Sequence, residues 1–200
     1  MACVQLTAGL SPSCAAEKAV GGIDKRVYIG QLDQIDWTTT TFGANNEITA
    51  FGLTTNVPAY TLKKFIGKKL KNNTVVDGVV GENTNMFNQS LNLVLYARTA
   101  AEKKAVNDLF LAEGLFAIVE TNGSALSPAQ LEVYGIGNDV GSPDNYGLSG
   151  SAYQNNSGTL LNDPNNITVT LSGEHPNDSL VFIPASSLAA NLTLLDGMSV

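Results

Sequence analysis

The chain has a single histidine, His175, and acid–base chemistry near neutral pH would centre on it. It sits in Gly173-Glu-His-Pro-Asn177, a turn-like setting, so an exposed loop histidine is expected rather than a catalytic one. The carboxylates form no better constellation. Asp33 and Asp36 flank Gln34-Ile35, and Asp139 and Asp144 fall in a Gly-rich loop. Their spacing fails the alternating-oxygen pattern of a calcium-binding loop, and acids beside glycine usually make solvated turns. Cys3 and Cys14 are the two cysteines; they suffice for one small bridge but read as reduced structural thiols. With the histidine far from both, four zinc ligands are not on offer. Gly135-Ile-Gly137 follows a strand-like run but opens no helix, as a phosphate loop must. The expectation is a protein that is not an enzyme, with no catalytic residue, no metal and no cofactor.

One cluster does suggest a role. Between Ala59 and Lys71 fall five of the eleven basic residues, Lys63, Lys64, Lys68, Lys69 and Lys71, interleaved with Tyr60, Leu62, Phe65, Ile66 and Leu70. Two readings stand side by side. Lysines blunt an exposed strand edge against unwanted pairing; equally, a basic projection can dock on an acidic surface of another copy. On the second reading Lys63, Lys64, Phe65, Lys68, Lys69 and Lys71 are candidate contacts between subunits.

The charge distribution supports association. All eleven Lys and Arg lie between Lys18 and Lys104, whereas the stretch from Ala105 onward carries ten acids and no basic residue. A net charge of −7 argues against binding nucleic acid through its phosphates, which needs clustered positive charge. Charged residues make up 14% of the chain, against about 25% in ordinary globular proteins. Asn, Ser, Thr and Gly supply the polarity instead, and they are desolvated at lower cost than Lys or Glu. Such a surface is easier to bury against a neighbour. The beginning of the chain lacks a basic region followed by an apolar core, so no secretory signal is expected. No run reaches the roughly 18 apolar residues of a membrane helix, and the expected site of synthesis is the cytoplasm.

The elements that must position these residues are mostly strands. Residues 1–22 read as an extended arm ending at Gly21-Gly22, and 23–200 as one domain without an internal repeat. Arg26–Leu32 and Glu47–Leu53 read as strands, and the threonines 38–41 suit a pleated surface. The lysine segment admits helix or strand, with strand preferred. Thr74–Val80 is an apolar strand broken at Asp77-Gly78. Asn85–Ala97 alternates at period two, placing Phe87, Gln89, Leu91, Leu93 and Leu95 on one face. Thr99-Ala-Ala-Glu102 is a capping box, which predicts a helix over 100–113 with Gly114 beyond its end. Leu115–Thr121, Gln130–Ile136, Leu148–Gln154 and Ile167–Ser172 follow as strands, and Val181–Ile183 and Leu192–Leu195 as short ones. The fold class is mainly β, a sandwich or barrel with one flanking helix, an N-terminal arm and a long lysine-rich loop or hairpin.

In order and texture the chain resembles the major tail (tail-tube) proteins of tailed bacteriophages, and more loosely the tube proteins of contractile injection systems. The resemblance is carried by the arm 1–22, the entry strand Gly22-Ile23…Val27-Tyr28-Ile29, the lysine-bearing segment before a long strand, the helix followed at once by Leu115-Phe-Ala-Ile-Val119, and Gln130-Leu-Glu-Val-Tyr-Gly135 leading to Ile167–Glu174. It implies a virion structural protein that forms a homo-oligomer. Copies close into rings, typically of six, with a continuous sheet as inner wall. Rings stack through a long loop and the arms, contact other tail proteins, and conduct viral DNA without sequence-specific binding or any membrane. An acidic lining would keep phosphates from adhering. The alternatives are another virion protein, such as a head decoration protein, and a carbohydrate-binding β-sandwich using Trp37, Tyr134, Tyr146 and Tyr153.

Overall fold

The computed structural model describes residues 22–54, 61–67, 71–81, 85–97, 99–121, 131–137, 147–157 and 165–199. The expected arm up to residue 21, Lys68, Lys69, and the loop holding Asp139 and Asp144 lie outside them. Among the described residues there are eleven strands and two α-helices, arranged as two sheets rather than a closed barrel.

The larger sheet has seven strands. In chain order they are β1 (Ile23–Gln31), β2 (Thr41–Phe42), β3 (Glu47–Ala50), β4 (Lys63–Ile66), β7 (Leu115–Thr121), β8 (Leu131–Tyr134) and β11 (Leu180–Phe182). In space the order is β2-β3-β11-β8-β7-β1-β4, antiparallel except for β11 beside β3. The smaller sheet is wholly antiparallel, in the order β5-β6-β10-β9. Its strands are β5 (Asn73–Val80), β6 (Asn85–Leu95), β9 (Ser149–Asn156) and β10 (Asn166–His175).

Leu115–Val119 is apolar without alternation and buried throughout, the pattern of a strand covered on both faces. One face of the large sheet packs on the small sheet, where Val27, Ile29, Ala117 and Val119 meet Leu91, Leu93, Val169 and Leu171. The other face buries Tyr28, Phe116, Ile118 and Phe182 beneath the C-terminal segment. Each such side chain contributes about 1.5–3 kcal/mol by leaving water.

Helix α1 (Ala100–Leu111) begins as its capping box requires: Thr99 Oγ1 accepts from Glu102 N at 3.2 Å, and the Glu102 carboxylate accepts from Thr99 N at 2.8 Å. It ends two residues earlier than expected, and Gly114, at φ 62°, follows as the turn into β7. Val106 and Leu109 enter the core between the sheets.

Three expectations about the elements need correction. Leu192–Leu195 is not a strand but part of a second helix, α2 (Leu188–Gly197), so the flanking helix is not single. Ser187 caps α2, accepting from Ala190 N at 3.3 Å. Buried Asn191 and Leu195, four residues apart, anchor it: Asn191 Oδ1 accepts from Ala185 N at 2.7 Å and its amide donates to Ala185 O at 3.2 Å. Nor does Asp77-Gly78 break β5, which runs unbroken opposite β6 from Asn73 to Val80. The threonine run is mostly turn, because Asp36 Oδ1 captures the amide and hydroxyl of Thr38 at 3.0 and 2.6 Å; strand resumes only at Thr41.

Candidate functional site

The lysine segment, where described, is an edge. β4 closes the large sheet on one side, pairing Ile66 with Arg26 and Lys63 with Ile29. Lys63 is exposed, its ammonium donating to Thr61 Oγ1 at 3.2 Å. Lys64 turns the other way and binds Asp196 Oδ1 at 2.6 Å, 5.6 Å from the ring centre of Tyr28. The Tyr28 hydroxyl donates to the same oxygen at 2.7 Å. The hydrogen bond from Lys64, then that from Tyr28, holds the Asp196 carboxyl below the usual carboxylate range. Burial, then the bond to Asp196, drives the Tyr28 phenol well above its ordinary value. Together they pin α2 to β1 and β4. Phe65 packs on the inter-sheet core, and Lys71 is exposed in the turn before β5. Of the four expected contacts described, Lys64 and Phe65 therefore serve their own chain, while Lys63 and Lys71 face solvent.

Beside β4 lie two hollows of about 510 and 360 Å³ sharing Lys64, Phe65 and Ala105. The apolar wall of the larger includes Ile29, Leu109 and Leu115. It contains no nucleophile paired with a base; Asp108 in its wall is bound by Lys104, one turn back on α1. No group of three or more His, Cys, Asp and Glu lies together among the described residues.

His175 is not in an exposed loop. β10 runs through Gly173 into His175, opposite Phe87, and alternation turns the ring inward, where it is fully buried. Burial lowers its pKa; the nearby Gly147 carbonyl opposes this weakly, without hydrogen-bonding geometry. Neither ring nitrogen has a partner among the described residues. Buried Gln89 organises the same end of the sandwich, accepting from Gly135 N at 2.8 Å and donating to Asn177 O at 3.0 Å. Gly135 reaches that position at φ 86°, a conformation favouring glycine.

The aromatic residues of a sugar platform are not brought together. Tyr134 is buried, its hydroxyl contacting Thr74 at 3.0 Å and Glu132. Trp37 packs beneath the far face of the large sheet. Tyr153 lies on β9 against Phe110, and Tyr146 is outside the described residues.

The outer face of the small sheet is the most distinctive surface. Cross-strand registers define its rows: Val79 with Met86; Asp77, Asn88 and Glu174; Val75, Ser90, Ser172 and Ser149; Asn73, Asn92, Thr170 and Ala152; and Val94, Thr168 and Gln154. No Lys or Arg occurs in any of the four strands, and the two charges on this face, Asp77 and Glu174, share one row. The sheet also ends on both sides in a long strand, β5 and β9, each of eight residues and almost wholly exposed. The Asn, Ser and Thr of this face carry no chemistry individually. The signal was their alternation with apolar residues in β6 and β10.

The chain matches no protein-family model, no curated protein and no solved structure. Among the described residues no helix is long and apolar enough to cross a membrane.

Proposed function

We propose that the chain is a structural subunit of a bacteriophage tail tube, joining with copies of itself into rings, six being the expected number, that stack around a DNA-conducting channel. The observation that carries this is the small sheet, whose outer strands β5 and β9 each pair with a strand on one side only among the described residues. Its four strands alternate in direction, so a neighbour related by rotation presents β5 antiparallel to β9, and the sheet continues from copy to copy. Outer strands of this length and low charge are normally blunted or covered; here neither carries a lysine.

The outer face of that sheet would line the channel. Phosphate binding draws on cations that displace counterions, and the face offers none. Its hydroxyls and amides solvate a passing duplex, and Asp77 and Glu174 repel it. DNA would slide without being held.

Electron microscopy of the purified protein at rising concentration tests the reading. Rings or tubes are expected. A preparation that stays monomeric, or forms only compact trimers such as a head decoration protein would give, contradicts it.

A further inference from the structure

We infer that Tyr153 of one copy pairs with Val76 of the next, which fixes the register of the β9–β5 join. The inference rests on the assembly just proposed and specifies its interface.

Three constraints select the register. The first is facing. Tyr153 lies opposite Val169 and shares its inward face; Val76 lies opposite Gln89 and packs on the core. A join must place inward residues against inward residues, because a shift of one residue turns every side chain to the wrong face. Tyr153 can therefore meet Thr74, Val76 or Gly78 but not the residues between them.

The second constraint is tilt. Val169 lies opposite Leu93, and Thr74, Val76 and Gly78 lie opposite Leu91, Gln89 and Phe87. Joining Tyr153 to them displaces the strands by two, four or six residues in every four strands. With about 3.3 Å per residue and 4.8 Å between strands, the strands would tilt by roughly 19°, 35° or 46°. Closed sheets tilt by about 35–45°, which rules out Thr74 and leaves Val76 and Gly78 for packing to decide between.

The third is packing. In the Val76 register Asn155 meets Thr74, Gln154 meets Val75 and Ala152 meets Asp77, so no like charges oppose. Beyond the bulge at Ser151, Gly150 comes alongside Gly78. Phe110 of α1 already covers Gly150, so closely that a Cβ there would lie 2.6 Å from its ring, whereas a Cβ on Gly78 would meet nothing within 4 Å. The open notch at Gly78, between Val76 and the 85% exposed Val80, thus receives the aromatic edge formed by Phe110 and Tyr153.

Disulfide trapping tests the register. Directly opposed Cβ atoms are about 5 Å apart, within reach of a small repacking to a disulfide. In a C3S/C14S background, assemblies of V75C/Q154C should oxidise to a ladder of covalent multimers; V75C and Q154C alone should stay single, and a mixture of the two should give dimers. Assemblies that yield no ladder, that cross-link through D77C/Q154C instead, or that form dimers with Q154C alone overturn the register while leaving the tube subunit intact. Failure of the C3S/C14S parent and the unmodified chain to assemble overturns both.

Discussion

The rings of Phe110 and Tyr153 meet with centroids 5.5 Å apart, inclined at 54°, so the capped helix braces the exposed edge strand β9 from the core side. Strand and helix form one flank, joined through this ring contact. That flank is the part of the molecule which, on the account above, receives a neighbour.

Removing either ring should separate folding from assembly. Phe110→Ala empties a partly buried position and is expected to cost about 2 kcal/mol, below the range for fully buried phenylalanines. Tyr153→Ala loses mainly the ring contact, about 1 kcal/mol. Urea denaturation of the dispersed chains measures both. Tyr153→Ala should nevertheless raise the concentration needed for assembly the more clearly of the two, relative to its effect on stability.

The two glycines should respond in opposite ways. A Cβ on Gly150 would lie 2.1 Å from the Phe110 carbonyl oxygen, and backbone cannot yield as a side chain can. Gly150→Ala should therefore destabilise the fold by about 2 kcal/mol or more. Gly78→Ala meets open space, so it should leave the thermal midpoint of the dispersed chain unchanged or slightly raised. Assembly of Gly78→Ala should be weakened, since its methyl group points into the notch.

Stability should fall with acid through one identifiable group. The folded pKa of His175 is depressed by burial, so its contribution is fully present above the unfolded value near 6.5 and is lost as pH falls below it. With one histidine in the chain, the change in urea midpoint between pH 7 and pH 5 reports chiefly on this ring. His175→Phe should flatten that slope.

A second acid effect lies lower. The lowered pKa of Asp196 means that its bonds to Lys64 and Tyr28 stabilise α2 above the ordinary aspartate pKa, near 4, and are lost as pH falls through the folded value. Its side chain is 44% exposed, so screening limits the benefit to about 1 kcal/mol or less. Asp196→Asn should remove that part of the pH dependence, lowering the midpoint at pH 7 by the same small amount and leaving stability below the folded pKa unchanged.

Much of the fold is legible where local and tertiary preferences agree. The alternation of β6, the Thr99 to Glu102 capping box and the apolar run of β7 each state their environment directly. α2 was obscured because Leu188, Leu192, Leu194 and Leu195 mark no single stripe, and β-branched Thr193 among them suggests strand. Asn191, polar yet buried, identifies the inner face only once Ala185 is in place to bond it. His175 looked exposed because Gly173 and Pro176 suggest a turn, although continuing Ile167, Val169 and Leu171 by twos leads to it. The lysines drew attention to β4, yet a charge cannot announce that Asp196, 132 residues away, neutralises it. The outer strands were legible only as strands, because edge position belongs to topology.

Hydrogen exchange compares the dispersed and assembled protein at the edges themselves. Assembly should slow exchange of outward-pointing backbone amides in residues 73–80 and 149–155, the two flanks of the small sheet. Assemblies in which those amides exchange as fast as in the single chain, while another surface becomes protected, would contradict the β9–β5 join.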